Sequence, residues 1–249
     1  MLGGDLLDNS TSRKTKKKYH FLLWDVDHTL LDFKKSENYA LKKAFSLFGR
    51  IIDDETVEVY SQINDKHWKR FEKGEITKTE VLYGRFRELL RVLEIEDISL
   101  DAIEEAYQEE LGNVYYYLDD SYQLCKELKK DYKQYVISNG VGSTQHHKLE
   151  LSGLSSLMDG IFISEEVGSP KPEKAFFDAC FKSIPGFDKD KALVIGDSLS
   201  SDIRGANNAG VDACWYHAHG ATTTGYEDVT YQYEITNLWQ IKDILTEKI

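Results

Sequence analysis

The chain of 249 residues is poor in several features that would settle its class at once. Its three cysteines, Cys125, Cys180 and Cys214, lie far apart, with no C-x-x-C pair among them. That spacing excludes a disulfide framework or a thiolate zinc site and suits the reduced, buried thiols of a cytoplasmic protein. No apolar run approaches the roughly 18–20 residues of a membrane helix, and no signal-peptide core follows the N-terminus, so no membrane partner is expected. An excess of basic charge is also missing. The formal net charge is −12, whereas binding a nucleic-acid polymer needs a concentrated positive surface. A small phosphate ester stays open as a ligand, because a metal ion and one or two lysines can offset its charge locally. Internal repeats and low-complexity tracts are absent too. What remains is an ordinary globular balance, 41% hydrophobic and 30% charged, on a chain long enough to bury a real core.

Phe21-Leu22-Leu23-Trp24 is a continuous apolar run that stops at Asp25, the pattern of a parallel strand buried on both faces. Similar runs recur at Tyr135-Val136-Ile137, from Gly160 to Ser164, from Ala192 to Ile195 and from Val211 to Tyr216. Helices are predicted between them, over about 121–130, 143–151, 173–183 and 200–209. This alternation predicts an α/β fold with a doubly wound parallel sheet, whose ligands bind beyond the carboxyl ends of the strands.

One stretch breaks the alternation. Between Lys34 and Gly112 helix follows helix, with no convincing strand. Leu41, Ala44, Phe45 and Phe48 keep helical spacing before Gly49, as do Val57, Tyr60, Asn64, Trp68 and Phe71 before Gly74. Thr77-Lys78-Thr79-Glu80 has the form of a capping box, and Val81, Arg85, Leu89 and Leu93 follow it. Ile103, Ala106, Tyr107 and Leu111 mark a fourth helix. The expected organisation is a flexible, lysine-rich tail over 1–18, a core of 19–33 and 113–249, and an inserted helical cap over 34–112.

Each strand end carries residues able to do chemistry. Asp25 and Asp27, two apart in an extended segment, can face one pocket. A hard cation would relieve their repulsion, and Mg²⁺ prefers such oxygen ligands; alone, D-x-D also marks metal-binding glycosyltransferases. Asp197 and Asp202, in Gly196-Asp197-Ser198-Leu199-Ser200-Ser201-Asp202, can supply further oxygens, although Asp197 or Ser198 also suits a helix N-cap. Ser138 and Asn139 can donate to phosphoryl oxygens or simply form a turn with Gly140. Lys171, between Pro170 and Pro172, can stand as a fixed point charge or be an ordinary surface lysine.

Taken in order, D-x-D-x-T, S-N, K-P and G-D-x-x-x-x-D resemble the four motifs of the haloacid dehalogenase superfamily, over nearly the whole chain from Tyr19 onward. The resemblance implies a Rossmann-like core, with the helical insert placed as a type-1 cap between the first and second motifs. It implies that Asp25 attacks phosphorus to form an aspartyl-phosphate. Asp27 then serves as general acid and base, Ser138 and Asn139 hold the phosphoryl group, and Lys171 offsets its charge. Thr29 would stabilise the turn or the general acid. Mg²⁺ would be held by Asp25, the Asp27 backbone carbonyl and Asp197, with Asp202 acting through water. His28 stands where the superfamily often has Gly or Asp, a position expected to tolerate change. The dehalogenases of the superfamily lack the second Asp, so Asp27 favours phosphate chemistry.

The stretches Trp24–Phe33, Ile63–Gly74 and Gly196–Tyr216 look like the noncanonical pyrimidine 5′-nucleotidases. They imply a pyrimidine nucleoside monophosphate as the small-molecule partner. On the cap, Asn64, His67, Trp68 and Arg85 are candidates for stacking on and hydrogen-bonding a base, the alternative being that they form cap core. A phosphatase of phosphoglycolate or a sugar phosphate, a phosphomutase, and an idle nucleotide-binding protein are the competing readings. The pairs His146-His147 and His217/His219 carry little weight as metal sites, since adjacent histidines on a helix diverge. The sequence does not indicate an oligomeric state.

Overall fold

The computed structural model describes residues 18–217 and 223–246, so most of the expected tail and His219 lie outside the described residues. Lys18 is docked, its ammonium donating to the Tyr233 hydroxyl at 2.9 Å. The chain runs β1 (Phe21–Trp24), α1 (Phe33–Leu47), α2 (Asp54–Glu72), α3 (Lys78–Val92), α4 (Leu100–Gly112), α5 (Ser121–Leu128), β2 (Lys133–Ser138) and α6 (Gly142–Leu151). It continues through β3 (Gly160–Ile163), α7 (Ser164–Val167), α8 (Lys174–Ser183), β4 (Ala192–Gly196), α9 (Arg204–Ala209), β5 (Asp212–Tyr216), β6 (Tyr233–Ile235) and α10 (Ile241–Thr246).

The strands form one parallel sheet in the order β3-β2-β1-β4-β5-β6, the order of a Rossmann-like doubly wound fold. β1 is central because each of its residues is apolar and both its faces are covered. Leu22 and Trp24 enter the core on one side of the sheet and Phe21 and Leu23 the core on the other, as the two-residue period of a strand requires. The strand order runs outward from β1 in opposite directions, through β2 and β3 on one side and β4 to β6 on the other, which makes the carboxyl ends of β1 and its neighbours the natural crevice. Cys125, Cys180 and Cys214 are buried and unpaired in these cores.

The four helices α1 to α4 follow β1 and form a core of their own, with α1 packed on α4 and α2 on α3. Tyr60, Phe86 and Tyr107 meet there with ring centroids 5.2 to 5.5 Å apart. The capping box at Thr77 and Glu80 is formed as the sequence suggests. Two local features differ from expectation. The turn over Leu199–Ile203 is a π-helix rather than the start of one α-helix, and β6 adds an edge strand. Among the described residues no helix is long and apolar enough to cross a membrane.

Candidate active site

β1 delivers Asp25 to the end of the sheet, where its backbone N–H donates to Ile195 O at 2.9 Å and fixes it between β1 and β4. Lys171 reaches the same point from the loop before α8. Its ammonium, 2% exposed, donates to Asp25 Oδ1 at 2.7 Å, Asp202 Oδ1 at 2.7 Å and Ile137 O at 2.8 Å. Asp197, directly after β4, completes the group: oxygens of Asp25, Asp197 and Asp202 lie within 4.8 Å of one another. The Trp215 indole donates to Asp197 O at 2.9 Å and the Thr29 hydroxyl to Asp197 Oδ1 at 3.4 Å. The π-helical turn brings Asp202 back over the strand end, where Ser198 N–H donates to its second oxygen at 3.1 Å. Gly196 makes that possible, because a Cβ there would collide with the Asp202 carboxylate.

Charge does not balance in this group. Three carboxylates face one ammonium. Burial pushes the Asp25 carboxyl up to about 7, against the lowering effect of Lys171, with Asp202 and Asp27 raising it further. Burial likewise raises Asp197, helped by Asp25, Asp202 and Glu72. It raises Asp202 too, with Lys171 opposing. For Lys171 burial works toward neutrality, but Asp202 and Asp25 outweigh it and raise the group. Buried carboxylates in excess, with oxygens this close, fit a hard divalent cation.

Asp27 is near Asp25 but has separate partners. Lys148 Nζ donates to its Oδ1 at 2.5 Å and Gln145 Nε2 to its Oδ2. Both are three apart on α6, and Gly140 leaves room for Gln145, which a Cβ there would strike. Sequence reasoning missed Gln145 and Lys148. Their signal was available, since both fall on the predicted helix just after Ser138-Asn139-Gly140. His28 adopts φ 65°, with its ring 5.1 Å from Phe33. That left-handed backbone is why a small residue suits the position.

The Asn139 side chain binds the Lys171 backbone, donating to the carbonyl at 2.8 Å and accepting from the N–H at 2.9 Å, and so sets the lysine in place. Ser138 Oγ accepts from Gly140 N–H at 3.1 Å and keeps its own proton to donate. Three of the four cap candidates are buried, as the alternative reading of cap core has it. Arg85 is buried against Glu104 and Asn64, Asn64 also donates to Glu37, and His67 Nδ1 lies 2.9 Å from Ile63 O. Asn64 on α2 and Arg85 on α3 face inward and bond each other at 2.9 Å, while the Arg85 Nε is left without a hydrogen-bond partner. Trp68 is half-buried, its ring edge-on to Phe71 at 5.7 Å. Among the described residues these histidines do not cluster: His146 pairs with Glu166, His147 with Asn113 and His217 with Glu234.

The haloacid dehalogenase-like hydrolase family profile matches residues 22–216. The chain is 34% identical to the pyrimidine 5′-nucleotidase PynA of Streptococcus pneumoniae, over 93% of this chain and 97% of that protein. It is 28% identical to the pyrimidine 5′-nucleotidase YjjG of Escherichia coli, over 92% and 98%. A crystal structure of the HAD-hydrolase YfnB of Bacillus subtilis, bound to magnesium and revealing interdomain movement, superposes with a TM-score of 0.88. It shares 34% identity, covering 93% of this chain and all of that one.

Proposed function

This chain belongs to the haloacid dehalogenase-like hydrolases, and on that premise we propose that it is a magnesium-dependent phosphatase of pyrimidine nucleoside 5′-monophosphates. One observation carries the reaction class: Asp25 stands at the end of the central strand, bonded to Lys171 and ringed by Asp197 and Asp202. The pyrimidine preference draws on PynA and YjjG, which match this chain over nearly its full length.

In this reading a bond forms from a carboxylate oxygen of Asp25 to phosphorus as the bond to the nucleoside 5′ oxygen breaks. Asp27 gives that oxygen a proton and later takes one from the water that hydrolyses the aspartyl-phosphate. Lys148 and Gln145 hold the Asp27 carboxylate in one orientation for both transfers. Lys171 stabilises charge on the phosphoryl oxygens, and the Ser138 hydroxyl is placed to donate to one of them. Asp25, Asp197 and the Asp27 backbone carbonyl would hold the magnesium ion, which supplies neutralising charge at those oxygens. Asp202, which accepts from Lys171 and Ser198 N–H, would stand beside the ion and act on it through water. The helical insert α1–α4 serves as the cap over this crevice.

The decisive assay is phosphate release from a panel of esters with magnesium and with EDTA. Turnover of UMP, dUMP and TMP that EDTA abolishes is the expected result. Tight nucleotide binding without turnover of any ester would sink the enzyme reading, and a clear preference for purine nucleotides would remove the pyrimidine assignment alone.

A further inference from the structure

Glu72 ends α2 on the insert, yet its carboxylate lies against the core. It accepts from the Ser200 hydroxyl and, at 3.5 Å, from the Ser198 hydroxyl, both in the turn after Asp197. Burial raises its carboxyl, with the Ser200 hydrogen bond, Lys171 and the Ser198 hydrogen bond opposing and Asp25 adding to the rise, and Glu72 in turn raises Asp197 and Asp202. Its position is held from the far side of the cluster by Lys78 of α3, which donates to Gly140 O at 2.7 Å and pairs with Glu165 at 2.8 Å. The connection over 73–77 is thus pinned on both flanks of Asp25.

Beyond Glu72 and Ser200 lies a cavity of about 400 Å³, inside the roughly 300–1,000 Å³ range of small-molecule pockets. Tyr226 lines it with a half-buried ring, and Arg204 lines it with a guanidinium already committed to Asp228 at 2.7 and 3.0 Å. Lys73 is exposed at its edge.

We infer that Glu72 is the specificity-determining residue for the leaving group, favouring neutral groups rich in hydroxyl or N–H donors and turning away those with a second anion. A nucleoside or sugar belongs to the first kind. The carboxylate of phosphoglycolate and the second phosphate of a bisphosphate belong to the other. A carboxylate offers acceptors to a donor-rich partner. To another anion it offers repulsion, strengthened where water is scarce, and such repulsion is an effective source of discrimination. The assignment rests on the Asp25 cluster being a phosphatase site.

The test is hydrolysis of four esters by the full-length protein with magnesium: UMP and ribose 5-phosphate against phosphoglycolate and fructose 1,6-bisphosphate. The parent should prefer the first pair by about a hundredfold in kcat/KM. Glu72→Gln should narrow that preference at least tenfold or so, chiefly by lowering KM for the anionic pair, and Glu72→Lys should narrow it further. Equal use of both pairs by the parent overturns the assignment, and that arm decides if the variants do not fold. An unchanged preference in Glu72→Gln also overturns it, as does an equal loss of both pairs by a folded variant. Failure of the parent on all four esters removes the phosphatase reading itself, and the selector with it.

Discussion

The helical insert and the α/β core each bury a knot of charged side chains, and the two are built differently. In the insert, Arg85 Nη2 donates to both oxygens of Glu104 at 3.0 Å, Nη1 to Asn64 at 2.9 Å, and Asn64 passes a hydrogen bond on to Glu37 at 3.1 Å. Burial raises the Glu37 carboxyl to about 7, against the hydrogen bond from Ser61, so this knot can reach neutrality by taking up one proton. In the core, Asp25, Asp197 and Asp202 share the single ammonium of Lys171. The first network spends its charges on itself and holds four helices together. The second holds three acids to one base, so two protons or a cation would be needed to balance it, and it lies at the end of the central strands. Burial of charge therefore does not identify a site, whereas an imbalance of charge at the switch point of the sheet does.

Removing the proposed nucleophile should separate the two knots most sharply. Asp25→Asn is expected to lower kcat by roughly four orders of magnitude or more, about 5.6 kcal/mol in the barrier, by analogy with loss of other nucleophiles. Thermal unfolding of the same variant should show no loss of stability, since one surplus buried acid has gone. Phosphate release at the parent's rate would refute the role given to Asp25.

The opposite profile is expected for Arg85→Met. It strands Glu104 in the interior, which costs about 3–5 kcal/mol, or roughly 6–20 °C in Tm for a chain of this size. The folded fraction should keep kcat within a few-fold of the parent. Adding Glu104→Leu should recover much of the lost stability, because the pair is then replaced by apolar packing. A large rise in KM for UMP with Tm unchanged would return Arg85 to the substrate.

The sheet was readable because its strands are short apolar runs stopped by polar residues, so Phe21–Trp24 and Ala192–Ile195 mark both the strands and the site-bearing turns after them. β6 escaped because Tyr233-Glu234-Ile235 is three residues at an edge, half-exposed, with too few apolar positions to register. Of the site, Asp25, Lys171, Asp197 and Asp202 are brought together as their order suggested. Lys148 was missed because a lysine on a helix is ordinarily solvated, and only the turn at Asp27 makes it a buried partner. The insert shows the reverse case. Asn64 sits in the stripe Val57, Tyr60, Asn64 and Arg85 in the stripe Val81, Arg85, Leu89. That helical spacing placed both on inward faces, a better guide than their capacity to bind a base.

Magnesium tests the imbalance directly, through its dependence on pH. The Asp25 carboxyl is raised from 3.8 to about 7 by burial, so the folded protein binds this proton more tightly than the unfolded chain does. Its contribution to stability is complete below about 4 and is lost as pH rises through about 7. A cation that takes the place of the proton meets competition at pH 6 and little at pH 8. At one hundred times its dissociation constant, magnesium should add about 2.7 kcal/mol at pH 8. One pH unit below the carboxyl's midpoint, that gain should shrink by about 1.4 kcal/mol, or roughly 3–5 °C in the Tm increment. The measurement is thermal unfolding with magnesium and with EDTA at both values. An increment equal at pH 6 and pH 8 would mean that the ion does not displace the Asp25 proton, and the contrast between the two knots would lose its electrostatic basis.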